Sequence, residues 1–256
     1  MELLVVGAGS MGRWVAETVD AEVAFADADP SVAASAASAH DGRHVPADTD
    51  ETFDAVCLAV PISAAEEAVA TYAPRAERAI CDVTGVMEPV VSAMRTHFPD
   101  GERLSLHPLF APENAPGRVA VVEDAPGPAT DAIRSAIDAA GNHLFDTTPA
   151  EHDEAMGTVQ ASTHAAVLAF ALAADDVREE FHTPVSAGLA DLVETVTGGT
   201  PRVYREIQET FEGADRVAEA AAAVADADGE TFDALYREAS VRAESDADAT
   251  QGGEAE

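Results

Sequence analysis

Lysine is absent from this 256-residue sequence: all 14 of its basic residues are Arg, set against 48 Asp and Glu, for a formal net charge of −34. A chain so charged repels nucleic acid and anionic membrane surfaces, so neither is an expected partner. Any chemistry that needs a lysine side chain is excluded outright. Cysteine is scarce, and Cys57 and Cys81 each sit in an apolar run that reads as a buried strand, where a reduced thiol acts as a small hydrophobe. No metal site is read. Long apolar runs are missing too: the longest, such as residues 165–174, stop near ten residues, whereas crossing a bilayer takes about 20. No basic segment precedes Leu3-Leu4-Val5-Val6, so the N-terminus reads as a first strand and the protein is expected in the cytoplasm.

The acids are interleaved with periodic apolar residues and do not form blocks, which is the pattern of a folded chain. Such acidity resembles that of proteins from extreme halophiles. In about 1 M salt the screening length falls to about 3 Å, and the self-repulsion that would otherwise oppose compaction largely disappears. Residues 1–148 alternate strand-like runs (3–6, 23–26, 55–59, 78–81, 104–106, 119–122 and 143–145) with amphipathic stretches, the signature of a parallel sheet with crossover helices. Thr148-Pro149 then supplies a helix start, and helical stretches follow over 150–180, 186–197, 202–225 and 231–244. The expectation is an α/β Rossmann-type domain over 1–148, an all-α domain over 149–244, and a disordered acidic tail over 245–256.

Gly7-Ala8-Gly9-Ser10-Met11-Gly12 directly follows the first strand and opens a helix near Met11, and Asp27 lies 20 residues beyond Gly7 at the end of the next strand. In that context the glycines allow a tight turn, close approach of backbone to a pyrophosphate, and tight helix packing. Asp27 stands where a carboxylate accepts from ribose hydroxyls, and Asp27-Ala28-Asp29-Pro30 holds no cation for a 2′-phosphate, so NAD is favoured over NADP. Val60 and Pro61 end a later strand where backbone can border the nicotinamide ribose. Of the eight histidines, His107 is singled out: it ends a strand and is followed by Pro108-Leu109-Phe110, so its ring can reach the crevice and take a proton as hydride leaves. A hydrogen-bonded turn histidine looks the same from sequence.

Leu106-His107-Pro108-Leu109-Phe110 is similar to the His-Pro-Met-Phe signature of prephenate dehydrogenases. Glu151-His152-Asp153-Glu154-Ala155-Met156, with Gln160 and Thr163-His164, resembles the family's Glu-His-Asp helix, and Thr183-Pro184, Pro201 and Tyr204 fall at the spacing of its later elements. The resemblance spans residues 1–212 and implies NAD-dependent oxidative decarboxylation of prephenate to 4-hydroxyphenylpyruvate in tyrosine biosynthesis, by a homodimer. It implies His107 as the catalytic base, Thr84 as a hydrogen-bond partner of the ring hydroxyl, and His164 on the substrate side. His152 is open between helix surface, capping and packing roles.

One departure stands out. Where the family carries a carboxylate-binding arginine this sequence has Thr195, and Arg202 and Arg205 just beyond, or an arginine donated by a partner subunit, are the candidates to replace it. Surface ion pairs with Glu206 and Glu209 would occupy the same two arginines. Among related architectures, the lysine-dependent hydroxyacid dehydrogenases are ruled out, whereas arogenate as substrate, or a non-catalytic dinucleotide-binding redox sensor, remain alternatives. After residue 212 the expectation is one or two helices and the tail, without a regulatory domain.

Overall fold

Short β-branched runs bounded by glycine, proline and acids set the framework. The computed structural model describes the backbone of residues 1–252 and the side chains of residues 1–242. In chain order the elements are β1 (Glu2–Val6), α1 (Ser10–Thr18), β2 (Glu22–Ala26), α2 (Pro30–Ala39), β3 (Arg43–His44), β4 (Phe53–Leu58), α3 (Ala65–Tyr72) and β5 (Ala76–Asp82). They continue with α4 (Glu88–His97), β6 (Glu102–Pro108), β7 (Arg118–Ala125), α5 (Pro128–Ala139), β8 (His143–Asp146) and α6 (Pro149–Met156). Then come α7 (Thr163–Ala173), α8 (Pro184–Thr197), α9 (Pro201–Thr210), α10 (Ala214–Asp226) and α11 (Gly229–Gly252).

The strands form one sheet in the order β3-β2-β1-β4-β5-β6-β7-β8. Every neighbouring pair is parallel except β6 and β7, which are antiparallel. The parallel sheet expected from the alternating pattern is thus present with one antiparallel pair in it. Only residues 109–117 join β6 to β7, and a parallel crossover takes a dozen residues or more. The strand order reverses direction between β1 and β4, so loops leaving their carboxyl ends diverge and open a crevice there. One sheet face buries Leu3, Val5, Phe25, Cys57, Cys81 and Leu106 against the helix residues Trp14, Val15, Ile133 and Ile137, while Met87 and Val91 cover Ala120 and Val122 on the other. Both cysteines are free and buried.

The chain divides into two compact units, the first made of residues 1–157 and 200–211, the second of 158–199 and 212 onward. The expected domain boundary at 148/149 therefore shifts. α6 joins the sheet-bearing unit because it buries His152 and Met156, and α9 joins it because it buries Glu206 and Ile207. The expected disordered tail is helical as far as Gly252, and its last four residues lie outside the described residues.

The second unit contains α7, α8, α10 and α11. The expected helix over 202–225 is broken at residues 211–213. A Cβ on Gly213 would collide with the Ser162 backbone nitrogen, in the π-helical turn Gly157–Ser162. Only a glycine lets the two segments approach so closely there. Counted through that turn, the stretch Pro149–Ala173 is 25 residues long and contains an 18-residue window of mean hydropathy 1.2, long and apolar enough by length and composition to cross a membrane. No such span was read from the sequence, because the uninterrupted apolar run there, residues 165–174, stops near ten residues.

Candidate active site

The glycine loop is shaped by collisions it avoids. Gly7 has φ +92°, and a Cβ there would strike the Ala59 carbonyl beyond β4; a Cβ on Gly12 would strike the Gly7 carbonyl. These two close approaches bring the β1 loop against Ala59 and Val60, just before Pro61, and seat α1 on the sheet. Gly9 differs, because nothing lies within 4 Å of a Cβ built on it. It precedes the first turn of α1, and no side chain caps those amides. Open backbone N–H groups at a helix N-terminus, with Ser10 and Met11 in its first turn, fit a dinucleotide pyrophosphate. Asp27 ends the adjoining β2, accepts from the Ala8 amide at 2.8 Å and from the Asp29 amide at 2.9 Å, and keeps a second lone pair on each oxygen for ribose hydroxyls.

Past the crevice, the carboxyl ends of β5 and β6 carry buried polar side chains. Asp82, the last residue of β5, is 0% exposed. Its Oδ1 accepts from the Thr84 amide at 2.9 Å and from the Thr84 hydroxyl at 2.6 Å. Burial pushes the Asp82 carboxyl up to about 6, against the Thr84 hydrogen bonds, Ser105 and the His152 ring, which pull it down. Thr84 can direct its one hydroxyl hydrogen to Asp82 or to the Val86 carbonyl at 3.1 Å, both acceptors. Its oxygen is therefore left with lone pairs for anything that approaches from outside.

His107, near the end of β6, is buried, and its Nε2 lies 3.7 Å from where a Gly85 Cβ would be. The same point is 3.2 Å from Ile62 Cδ1, so the loops following β4, β5 and β6 converge at this ring. Burial lowers the His107 pKa to about 3, the His152 ring adding to the effect and Asp153 opposing it. Near neutral pH the ring is an uncharged imidazole, able to accept a proton.

Behind His107 stands a pair whose role the sequence did not disclose. His107 Nδ1 is 2.8 Å from His152 Nε2, and His152 Nδ1 is 2.7 Å from Asp153 Oδ1. The imidazoles meet edge to face, with centroids 5.0 Å apart. Asp153 also accepts from the Met87 and Glu88 amides, both at 2.9 Å, where α4 begins without a side-chain cap of its own. Burial would raise the Asp153 pKa, but the His152 ring and the two amides outweigh it and lower it. Sequence spacing gave no sign that residues 107 and 152 meet.

Arg202 and Arg205 lie exposed on α9, 4.0 Å from Glu206 and 3.8 Å from Glu209 respectively. Glu206 itself is buried and accepts from the Ser63 hydroxyl at 2.9 Å, in the segment following Pro61. His164 belongs to the second unit, at the start of α7, where burial lowers its pKa. Among the described residues, no group of His, Cys, Asp and Glu has the make-up of a metal site.

A family model described as the nucleotide-binding domain of prephenate dehydrogenase matches residues 14–124. The chain is 34% identical over 206 residues to 4-amino-4-deoxyprephenate dehydrogenase of Streptomyces pristinaespiralis, covering 72% of this chain and 69% of that protein. It is 25% identical over 170 residues to a probable arogenate/prephenate dehydrogenase of Methanocaldococcus jannaschii, covering 60% of this chain but only 38% of the relative. Among solved structures, prephenate dehydrogenase from A. aeolicus, in complex with hydroxyphenyl propionate and NAD+, superposes with a TM-score of 0.71. That superposition covers 99% of this chain and 98% of the other at 16% identity, and it shows a shared fold.

The buried Asp82 carboxyl has a stability consequence whose sign is fixed by its raised pKa. The folded state holds the Asp82 proton up to about pH 6, whereas an unfolded Asp loses it near pH 3.9. Stability therefore drops as pH rises through this window, and above it the ionised carboxylate costs up to about 3 kcal/mol. Asp82→Asn, which keeps an acceptor for Thr84, is expected to raise Tm at pH 8, with the gain shrinking as pH falls to 4. Calorimetry across that range checks it, and a gain independent of pH would contradict the buried-charge account.

Proposed function

The chain belongs to the prephenate dehydrogenase family, and from that premise we propose that it oxidises and decarboxylates prephenate to 4-hydroxyphenylpyruvate with NAD. One observation carries the reading. A neutral, buried His107 stands at the same carboxyl edge of the sheet as an open glycine cradle backed by Asp27. NAD, when bound, would supply the hydride acceptor, with Gly7, Gly9, Ser10, Met11 and Gly12 holding the pyrophosphate, Asp27 the ribose, and Val60 and Pro61 bordering the nicotinamide end. His107 Nε2 draws the ring hydroxyl proton as the hydride departs, and loss of carbon dioxide then aromatises the ring. Thr84 completes the substrate side in this reading.

A second reading keeps the chemistry and changes the ring substituent from hydroxyl to amine. It is favoured by the Streptomyces pristinaespiralis relative and by the hydrogen count. Thr84 can only accept and His107 accepts at Nε2, so an amine has hydrogens for both, where a hydroxyl has one. Arogenate, with an amine on the side chain, is the third candidate and has the Methanocaldococcus jannaschii relative behind it.

Supplying each of the three acids with NAD in molar KCl and following NADH absorbance decides among them. Prephenate is expected to turn over fastest, and no NADH from any, with NAD still bound, would favour a redox sensor. His107→Asn should lower kcat by roughly 10²–10⁴-fold, the usual contribution of a general base, while the Kd for NAD is unchanged.

Arg202 and Arg205 are proposed to serve the substrate carboxylates in place of the arginine missing at Thr195. Replacing the effective one with Ala should raise KM for the acid about tenfold, as loss of a charge-assisted hydrogen bond does. Unchanged KM in both variants would leave them as surface ion pairs.

The second unit exposes the large apolar side chains Leu172 (90%), Val185 (75%), Tyr236 (68%) and Phe181 (66%), which a second copy of the chain would cover. The proposed homodimer predicts a sedimentation mass near twice 26.4 kDa in molar KCl, and a monomer at micromolar concentration would refute it.

A further inference from the structure

We propose that His152 and Asp153 are positioning residues that hold His107 in the tautomer whose Nε2 lone pair faces the substrate, a role that rests on reading His107 as the base. The argument is a chain of forced hydrogens. Asp153 accepts two backbone N–H groups at the positive end of α4, one on each oxygen, which keeps it an ionised acceptor. His152 Nδ1, 2.7 Å away, must therefore carry a hydrogen and donate it. A neutral imidazole has only one N–H, so His152 Nε2 is a lone pair. That lone pair lies 2.8 Å from His107 Nδ1, and a nitrogen pair at this distance shares one hydrogen, which then has to come from His107. His107 Nε2 is left as the acceptor, on the side of Gly85 where the strand-end loops converge.

The same chain steadies the charge that forms. When the substrate hydroxyl proton moves onto His107 Nε2, the resulting imidazolium still donates from Nδ1 to His152, whose own N–H points at the Asp153 carboxylate. The proton returns to the ring oxygen once carbon dioxide has left, so the residues end as they began. Asp153 stays ionised throughout. This is the logic by which a carboxylate orients a catalytic histidine elsewhere, with a second imidazole inserted between them. His152 is suited to the insertion because its side chain is 1% exposed, so water does not compete for either of its nitrogens. Protonating His152 would reverse the chain: its Nε2 would donate to His107 Nδ1 and drive the His107 hydrogen onto Nε2. The base is therefore available only while the two rings carry one hydrogen each.

Imidazole ¹⁵N spectra of the full chain at pH 8 read the tautomers without any turnover, and His107→Asn identifies the His107 signals by their loss. The expected result is a hydrogen on Nδ1 of His107. His152→Leu should shift that hydrogen toward Nε2 and lower kcat at least about 100-fold with the Kd for NAD unchanged. His152→Gln, whose amide oxygen can still accept from Nδ1, should restore the tautomer and most of kcat. A His107 hydrogen on Nε2 in the wild type, or wild-type kcat in His152→Leu, would overturn the proposal. If the leucine variant does not fold, the wild-type and glutamine spectra decide alone. Absence of turnover in the wild type would instead count against the enzymatic reading and leave the tautomer result standing.

Discussion

Polar side chains buried at the carboxyl ends of β5 and β6 must find partners inside the protein, and much of the local architecture answers that requirement. Asp82, Thr84, His107 and His152 are all buried. A buried polar group without a partner costs about 1–3 kcal/mol, and a charged one more. Asp82 is met by two hydrogen bonds from Thr84, which bends the loop after β5 back over the strand end. His107 is met by His152, which requires α6 to lie behind β6. Asp153 then ties the start of α6 to the start of α4. This is why α6 is part of the sheet-bearing unit and not of the helical one. The residues proposed to prepare the chemistry are also the ones that fasten the helix to the sheet.

The constraint also explains how an imidazole is tuned in a protein with 48 acids and no lysine. An acidic surface would raise the pKa of an exposed histidine, since every nearby carboxylate favours the cation. His107 goes the other way, to about 3, because burial dominates. The field of the surface is kept from the ring by burial, and the carboxylate that acts on it, Asp153, is itself held by the α4 amides. Cations are spent elsewhere. Arg43 pairs with Glu2 and Glu51, Arg103 with Asp124, and Arg134 with Glu123 and Asp146. Backbone dipoles and burial do at the site what lysine or arginine would do in a less acidic protein.

How much of this was legible in the sequence depended on the range of the interaction involved. The strands from β1 to β8 were readable from apolar runs because burial of a strand is recorded in consecutive residues; only the two-residue β3 left no such record. The glycine loop was readable because the collisions at Gly7 and Gly12 are short-range and demand one residue type. The direction of β7 was not, since it turns on loop length and not on pattern. The break before α10 was missed for a different reason: Gly213 is required by the backbone of Ser162, about 50 positions earlier in the chain. His152 illustrates the limit. Its neighbours Glu151 and Asp153 make it look like any polar helix position, and only the fold reveals that one ring nitrogen faces His107 and the other Asp153.

The two arginines on α9 invite a last step of reasoning. Both are more than half exposed and each has an acid one turn along the helix, an arrangement that in isolation contributes a few tenths of a kcal/mol. So weak a pair is easily exchanged for a better one. The two partners are unequal: Glu206 is buried and already accepts from Ser63, whereas Glu209 is exposed. Arg202 therefore borders a carboxylate fixed by the segment that follows Pro61, beside the loop that embraces the glycine turn. Arg205 borders only a solvated one. An incoming carboxylate would compete with Glu206 for Arg202 while leaving Glu206 its hydrogen bond to Ser63, so Arg202 can turn to a substrate without stranding a buried charge. Of the two candidates, Arg202 is the one that the packing of α9 ties to the cofactor side of the sheet.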